Sequence, residues 1–390
     1  MYNFVTHNFN EIIDIRIFLK DITLVLLAAG SSTRFGASSK KQWLYQDNKP
    51  LWLTVADNFA DIFCFADIVI VSSSDEIGYM RQFANYTYVA GGNSRQESLS
   101  NALEEVNTSY VLVNDIARCC LDREMIERIL SKQSQADCII PTLKAVDTIY
   151  LGDTPVDRDE IKIIQTPQLS NTEKLKEALS RDEIYTDESS AIRAVGGEIL
   201  FVEGSSKAHK LTTQADIDKV PCLVPPSSQM LVGFGIDIHP FEDDKEMKLC
   251  GVTIDSNFGF KAHSDGDVAI HALIDALMGA AGMGDIGELF PDTDEAYAGA
   301  DSMVLLERVV EMIYSYGLEI VNTDMTILAQ TPRLLHYKSR MKHKIAETLR
   351  IAPNRVNIKA TTAEKLGFVG RKEGVTVHAV ATLKYFDWSR

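Results

Sequence analysis

Short apolar runs alternate with longer amphipathic stretches through the first half of the chain. Ile22–Leu27, Ile68–Val71, Tyr110–Val113, Cys138–Pro141 and Ile199–Val202 read as strands, while Gln96–Val106, Arg123–Lys132 and Asn171–Leu179 carry apolar residues at helical spacing. Apolar strands alternating with helices predict an α/β domain with a mostly parallel, doubly wound sheet of Rossmann-like type. The pattern breaks at Val220-Pro221-Cys222-Leu223-Val224-Pro225-Pro226-Ser227-Ser228, whose three prolines and two serines read as a linker. Beyond it, Asp267–Ala281, Ser302–Tyr316 and Leu334–Leu349 have helical periodicity, and Leu231–Ile238, Leu318–Ala329, Arg355–Thr361 and Gly374–Tyr385 look extended. A second domain, α+β or α/β with fewer strands, is expected there, and α+β is the choice taken forward. The reading divides the chain into an N-terminal extension (1–20), a first domain (21–220), a linker (221–229) and a second domain (230–390).

Composition narrows the function classes. A chain of 390 residues exceeds the usual prior of about 100–200 residues per domain, in keeping with two. The 45% hydrophobic and 24% charged fractions suit globular domains with sizeable cores. A formal charge of −16, with no Lys/Arg block, argues against a nucleic-acid partner, so any phosphate must be met by a few placed cations. Cys64, Cys119, Cys120, Cys138, Cys222 and Cys250 form no CxxC pair and read as reduced thiols of a cytoplasmic protein. Glu11, Asp14, Arg16, Lys20 and Asp21 interrupt any signal-like run, and no stretch approaches the roughly 18 apolar residues of a membrane helix. No membrane partner is expected.

Two places carry candidate chemistry. Asp237 and His239 are two apart on a predicted strand and share its face. His271 lies on a predicted helix, on one face with Asp267 and Asp275. Two imidazoles and a carboxylate leave a tetrahedral zinc with one open position, the arrangement of catalytic rather than structural sites. Each residue alone would pass for an ordinary polar side chain; the set, beside His263-Ser264-Asp265-Gly266-Asp267, reads as a metal site. The second place is Ala28-Ala29-Gly30-Ser31-Ser32-Thr33-Arg34-Phe35-Gly36, directly after the first strand, followed by Lys40-Lys41-Gln42. Small residues there let backbone N–H groups approach a triphosphate, with Arg34 and Lys41 to neutralise it.

Further motifs follow in the order and spacing of one family: Gly91-Gly92-Asn93-Ser94-Arg95-Gln96-Glu97-Ser98, Val113-Asn114-Asp115-Ile116-Ala117-Arg118, Gln165-Thr166-Pro167-Gln168, Thr186-Asp187-Glu188-Ser189-Ser190 and His209-Lys210-Leu211-Thr212. Residues 22–220 resemble 2-C-methyl-D-erythritol 4-phosphate cytidylyltransferase. The resemblance implies that Arg34 and Lys41 stabilise charge on the α-phosphate of CTP, approached through the Gly30 loop. It implies that Arg158 and Lys210 bind and aim the phosphate of the acceptor, methylerythritol phosphate, and that Asp115 helps hold the Mg or Mn nucleotide. Gly91, Arg95 and Ser98 would contact cytosine and ribose, and Thr148 and Thr166 would line the acceptor pocket. An acceptor phosphate oxygen attacks the α-phosphorus in line, and pre-aimed cations stabilise the transition state more than the ground state. The chain departs from the family at Ser32, where Gly is common, at Lys40, where Pro is usual, and at His209, where Asn is usual.

The second domain continues with Gly284–Asp294, Ala329-Gln330-Thr331-Pro332-Arg333-Leu334-Leu335 and Lys359–Arg371, and residues 231–386 resemble 2-C-methyl-D-erythritol 2,4-cyclodiphosphate synthase. The resemblance makes Asp237, His239 and His271 zinc ligands and His263 and Thr362 transition-state stabilisers. Ser264, Asp285, Gly287 and the Phe290–Asp294 segment, with Phe290, Asp292 and Asp294, would contact the methylerythritol part. Ala329, Pro332 and Leu335 would belong to a cytosine pocket supplied by a neighbouring subunit of a trimer. Thr361, Phe368 and Arg371 are further substrate contacts, and Glu364 would hold a second cation, Mg or Mn, against the substrate phosphates. The implied reaction closes 4-CDP-methylerythritol 2-phosphate into a cyclic diphosphate and releases CMP, with zinc as Lewis acid.

Together the resemblances imply a bifunctional enzyme of non-mevalonate isoprenoid precursor synthesis. It would form a homotrimer through the C-terminal domain, with a hexamer as the larger alternative. The two reactions are not consecutive, since a kinase acts between them, and docking of that kinase is compatible with the fusion. Rival readings are a nucleotidyltransferase fused to a metal-dependent phosphohydrolase, and a noncatalytic cytidine-nucleotide binder; the His-Ser-Asp-Gly-Asp segment speaks against the first and the full cation set against the second.

Overall fold

A computed structural model describes residues 21–262, 264–291 and 299–389. Residues 1–20, His263, Asp292 and Asp294 lie outside the described residues. The chain forms two compact units, the first ending at Pro225 and the second beginning at Pro226.

In the first unit β1 (Ile22–Leu27) is central: Ile22, Leu24, Val25 and Leu26 are fully buried, as a parallel strand covered on both faces requires. It pairs in parallel with β2 (Asp67–Ser72) on one side and β4 (Tyr110–Asp115) on the other, and β2 carries β3 (Thr87–Ala90) at the edge. Beyond β4 the order continues through β7 (Gln168–Asn171), β5 (Cys138–Lys144) and β6 (Lys162–Ile164), and β8 (Ile199–Glu203) pairs in parallel with β5. β7 runs antiparallel between β4 and β5, an insertion that its polar sequence Gln-Leu-Ser-Asn did not advertise. Side-chain caps start several of the helices: Ser94 accepts from the Glu97 N–H before α3 (Arg95–Glu104), and Asp122 from Met125 before α4 (Arg123–Leu130). Of the other helices, α1 (Leu51–Ile62) and α2 (Ser74–Met80) precede these, and α5 (Thr172–Leu179) and α6 (Glu188–Ala194) follow. Because the chain leaves β1 for β2 on one side and returns to β4 on the other, a crevice opens at the carboxyl ends of β1 and β4, where ligands of such sheets bind.

One expectation is corrected. Cys120 and Cys222 are joined in a disulfide with Cα atoms 5.5 Å apart, so the six cysteines are not all reduced. The bond ties the turn after β4 to the proline-rich segment, and a separation of 102 residues hides such a pairing from a reading of local spacing. The same segment is held to its unit by the Val224 N–H donating to Gln46 Oε1 and the Asp47 N–H to Pro225 O. Burial pushes the neighbouring Cys119 thiol up to about 11.

The second unit is a five-stranded sheet in the order β10 (Phe258–Phe260), β9 (Met230–Asp243), β13 (Gly374–Tyr385), β11 (Leu318–Leu328), β12 (Val356–Thr361). Helix α7 (Val268–Ala281) lies against β9 and β13 at close range. A Cβ added at Gly233 would sit 2.1 Å from the Ala276 carbonyl oxygen, and one at Gly235 2.1 Å from that of Ala272. Alanines at four-residue spacing on the helix and glycines at two-residue spacing on the strand make this approach. Asp237 and His239 continue the glycine face and so point towards α7. The alternate residues Val232, Phe234, Ile236 and Ile238 point the other way and stay exposed, Val232 by 65% and Phe234 by 59%. Two further helices, α8 (Ser302–Ser315) and α9 (Lys338–Thr348), complete the labelled elements.

Candidate functional site

At the carboxyl ends of β1 and β4 lies a cavity of ≈ 470 Å³. Gly30, Arg34 and Lys41 line it from the loop after β1, Arg95 and Ser98 from α3, Asp115 from the end of β4, and Lys210 from the segment before Leu211. Gln42, Asn93, Ser94 and Ala117 line it as well, without having been singled out from sequence. Gly91 sits behind: a Cβ there would fall 2.5 Å from that of Ala29 and 3.0 Å from Ser98 Oγ, so glycine lets the two loops close together. Thr166 is buried; its Oγ1 accepts from the Asp115 N–H at 3.2 Å and donates to Asn114 Oδ1 at 3.0 Å, which makes it a support for Asp115. Thr148 and Arg158 are exposed beside the Ile149–Leu151/Thr154–Val156 hairpin, Arg158 donating to Val146 O, and neither lines the cavity.

Charges in the cavity are arranged as a chain. Asp115 receives Arg95 Nε at 3.0 Å and Lys210 Nζ at 2.6 Å. Burial alone would raise its carboxyl, but Arg95 and Lys210 outweigh it and hold the carboxyl below the usual range. Arg95 is itself shared with the fully buried Glu188 at 2.9 Å. Glu188 stands in a motif quoted above, yet an acid in a polar stretch carries no signal that it will be buried against an arginine. Lys41 donates to Leu211 O at 3.1 Å, and burial, with Lys210 and Arg34 nearby, lowers its pKa from 10.5. A polyphosphate placed beside Lys41 favours the charged form and raises that value again. CTP binding on the alkaline side, as pH approaches 10.5, is therefore expected to take up protons. Asp115, already ionised, releases none. Calorimetry in buffers of different ionisation enthalpy checks this, and the uptake should vanish in Lys41→Ala.

The second unit brings its three predicted ligands together. His239 Nε2 lies 3.0 Å and His271 Nδ1 3.1 Å from Asp237 Oδ2, and one donor atom from each residue falls within 4.8 Å of the others. Burial opposes ionisation of Asp237, but hydrogen bonds to His239 and His271 hold its carboxyl well below the usual range. Helix α7 presents His271 from a start capped by the buried Asp267, which accepts from the Ala269 and Ile270 N–H groups at 3.2 Å and from Cys250 and Gly251 at 2.9 and 2.7 Å. The other face of the His271 ring identifies its tautomer. Ser302 Oγ donates to Asp265 Oδ1 at 2.6 Å and lies 3.0 Å from His271 Nε2. A hydroxyl has one proton, so Ser302 accepts from an Nε2–H, and Nδ1 is the nitrogen turned to Asp237. Such a donor set, a carboxylate and two imidazoles with His271 Nδ1 able to give up its proton to a cation, fits a divalent metal. Ser302 was missed from sequence because a serine opening a helix reads only as a cap.

The remaining predicted residues fall elsewhere in this unit. Ser264 Oγ accepts from the Gly266 N–H and sits 3.3 Å from His271 Nε2, beside the metal cluster. Asp285 caps the short helix Ile286–Leu289, which contains Gly287, and Phe290 is buried under Arg308. Thr361, Thr362 and Glu364 follow β12, with Thr362 Oγ1 donating to Glu364 Oε1 at 2.7 Å. The Ala329 N–H donates to Thr361 O and the Lys365 N–H to Gln330 Oε1, so the segment with Pro332 and Leu335 adjoins this loop. Glu364 and Lys365 both adopt positive φ, 48° and 65°, strain of a kind that gathers at functional loops. Phe368 is half-buried and Arg371 forms a two-pronged pair with Glu373 at 2.8 and 2.9 Å. Thr361, Thr362 and Glu364 do not join the metal ligands within one chain. Asp237 pairs with Val377, Val377 with Ile327 and Ile327 with Ala360, three strand spacings or roughly 14 Å.

A doubly wound sheet with a cation-lined crevice, followed by an α+β unit with an Asp/His/His cluster, defines a nucleotidyltransferase joined to a metal-dependent cyclase. The family model for 2-C-methyl-D-erythritol 4-phosphate cytidylyltransferase matches residues 22–224, and that of the YgbB family matches residues 230–384. The chain belongs to the bifunctional IspD/IspF enzymes of the methylerythritol phosphate route to isoprenoids. It is 62% identical to the bifunctional enzyme IspD/IspF of Sulfurovum sp. (strain NBC37-1), over 95% of this chain and 100% of the relative. Identity to that of Sulfurimonas denitrificans is 53%, over the full length of both. The solved structure of the bifunctional IspDF from Campylobacter jejuni superposes with a TM-score of 0.86 at 45% identity, covering 95% of this chain and 100% of that one.

Proposed function

We propose that the first unit transfers CMP from CTP to 2-C-methyl-D-erythritol 4-phosphate, releasing pyrophosphate. Arg34 and Lys41 would meet the α-phosphate, Lys210 the acceptor phosphate, and Asp115 the Mg or Mn that accompanies the nucleotide. The cavity's four cations in an acidic chain support this reading, since a site for neutral ligands has no need of them. The second unit would convert 4-CDP-2-C-methyl-D-erythritol 2-phosphate to the 2,4-cyclodiphosphate and CMP. Asp237, His239 and His271 would hold zinc, which when bound supplies a Lewis acid for the diphosphate. Glu364 would hold a second cation, Mg or Mn, and His263 and Thr362 would stabilise the transition state. Within the cyclase the chain's own residues would orient the substrate: Ser264, Asp285, Gly287 and the Phe290–Asp294 segment at the methylerythritol part, with Thr361, Phe368 and Arg371 as further substrate contacts.

The observation that carries the assembly proposal is the separation, across one sheet, of the metal ligands from the Ala329–Leu335 and Thr361–Glu364 segments. A site made from both needs two copies, and the exposed Val232, Phe234, Ile236 and Ile238 face offers the surface for a trimer. A hexamer would follow if the exposed hairpin, with Tyr150 and Leu151 at its tip and Thr148 and Arg158 beside it, reached a neighbouring copy's first unit. Small phosphorylated substrates support a cytoplasmic location for the enzyme. The fusion of two non-consecutive activities suggests transient docking of the intervening kinase. To test the shared site, Asp237→Ala and Pro332→Asp full-length variants, each inactive in cyclisation, are mixed and reassembled. Mixed trimers should regain a measurable fraction of CMP release because some interfaces receive two intact halves. Absence of recovery, with mixed trimers shown by native mass spectrometry, would place the whole site in one chain.

A further inference from the structure

Glu76, on α2, is fully buried, yet it belongs to none of the groups that line the nucleotide cavity. Three donors converge on its carboxylate. Lys40 Nζ donates at 2.7 Å, Gln42 Nε2 lies 3.3 Å from both oxygens, and Ser72 Oγ makes a short hydrogen bond. Lys40 and Gln42 are the residues on either side of Lys41, which opens the short helical turn Lys41–Trp43. The Lys41 N–H is held in turn by Ser32 Oγ at 2.9 Å, and Ser32 takes a left-handed conformation (φ 56°) to reach it. A carboxylate removed from water and paired with a partly exposed lysine adds little to stability as such. Its geometric effect is specific: it grips the chain one residue before and one residue after the lysine whose ammonium enters the cavity.

We propose that Glu76 is a positioning residue for nucleotidyl transfer, anchoring Lys40 and Gln42 so that Lys41 is aimed at the nucleotide phosphates before CTP arrives. A charge aimed in advance needs no reorganisation as the transition state forms, whereas a lysine on a loose turn must be ordered at that moment. Ser32 serves the same turn from the other side.

The test uses the full chain. Glu76→Gln keeps the shape and the contacts open to Ser72 and Gln42 but removes the ion pair with Lys40. Pyrophosphate release is expected to fall in kcat by about 10–100-fold, the size of effect a misplaced catalytic group produces, with a smaller change in KM for CTP. CMP release by the second unit serves as the internal control and should be unchanged. The discriminating variant is Lys40→Pro/Glu76→Gln. Lys40 has φ −71°, close to the value a proline ring imposes, so the double variant stiffens the turn without the ion pair. It should recover most of the lost kcat. Wild-type kcat in Glu76→Gln would overturn the proposal. So would a loss that Lys40→Pro does not relieve, or a parallel fall in both activities, since either makes Glu76 merely structural.

Discussion

Lys41→Ala and Lys210→Ala should each lower the rate of pyrophosphate release by about 10²–10³-fold, the usual loss when one oriented group is removed from a developing charge. The two act at different places. Lys41 enters the cavity from the loop after β1 and is already depressed in pKa by burial and by Lys210 and Arg34, so it gains most when phosphate charge arrives. Lys210 holds Asp115 at 2.6 Å, and its loss also leaves that carboxylate with Arg95 alone. Lys210→Ala should therefore alter the Mg²⁺ dependence of transfer as well as its rate, and Lys41→Ala should not. CMP release by the second unit should be unchanged in both. Transfer within threefold of wild type in both variants, measured by coupled pyrophosphate detection, would remove these lysines from the mechanism.

The larger effect is expected at the metal cluster. Asp237→Ala or His271→Asn should abolish cyclisation and lower bound zinc, while pyrophosphate release continues. The reason is geometric: one carboxylate oxygen stands 3.0 Å from His239 and 3.1 Å from His271, so removing it takes one of the three proposed ligands and leaves two imidazoles without the negative charge between them. His271→Asn removes the ring whose tautomer Ser302 and Asp265 select. Elemental analysis of the dialysed proteins checks the assignment. One zinc per chain in the double variant Asp237→Ala/His271→Asn would mean that the metal is held elsewhere.

Much of this architecture could be read from the chain because the relevant patterns are local. β1 is a continuous apolar run because both its faces are covered, and the strand from Gly374 to Tyr385 ends where its apolar alternation ends. The two-residue spacing of Asp237 and His239 put both on one face, and the structure supplies the reason that face meets His271: glycines 233 and 235 admit α7 against the strand. What escaped is what depends on distant partners. An acid such as Glu76 or Glu188 in a polar stretch reads as solvated, and only the fold reveals that it is buried against Lys40 or Arg95. The Cys120–Cys222 disulfide and the antiparallel β7 have the same character, as does the separation of Thr361 from Asp237 across the sheet, which follows from strand order rather than from any motif.

That one chain carries both reactions is tested with a single preparation of the wild-type protein. CTP and 2-C-methyl-D-erythritol 4-phosphate are added in one sample, 4-CDP-2-C-methyl-D-erythritol 2-phosphate in another, and both are followed by ³¹P NMR. Pyrophosphate with a cytidylylated product is expected in the first, and CMP with a cyclic diphosphate in the second. Free inorganic phosphate in place of the cyclic diphosphate, or bound nucleotide without turnover in either sample, would contradict it.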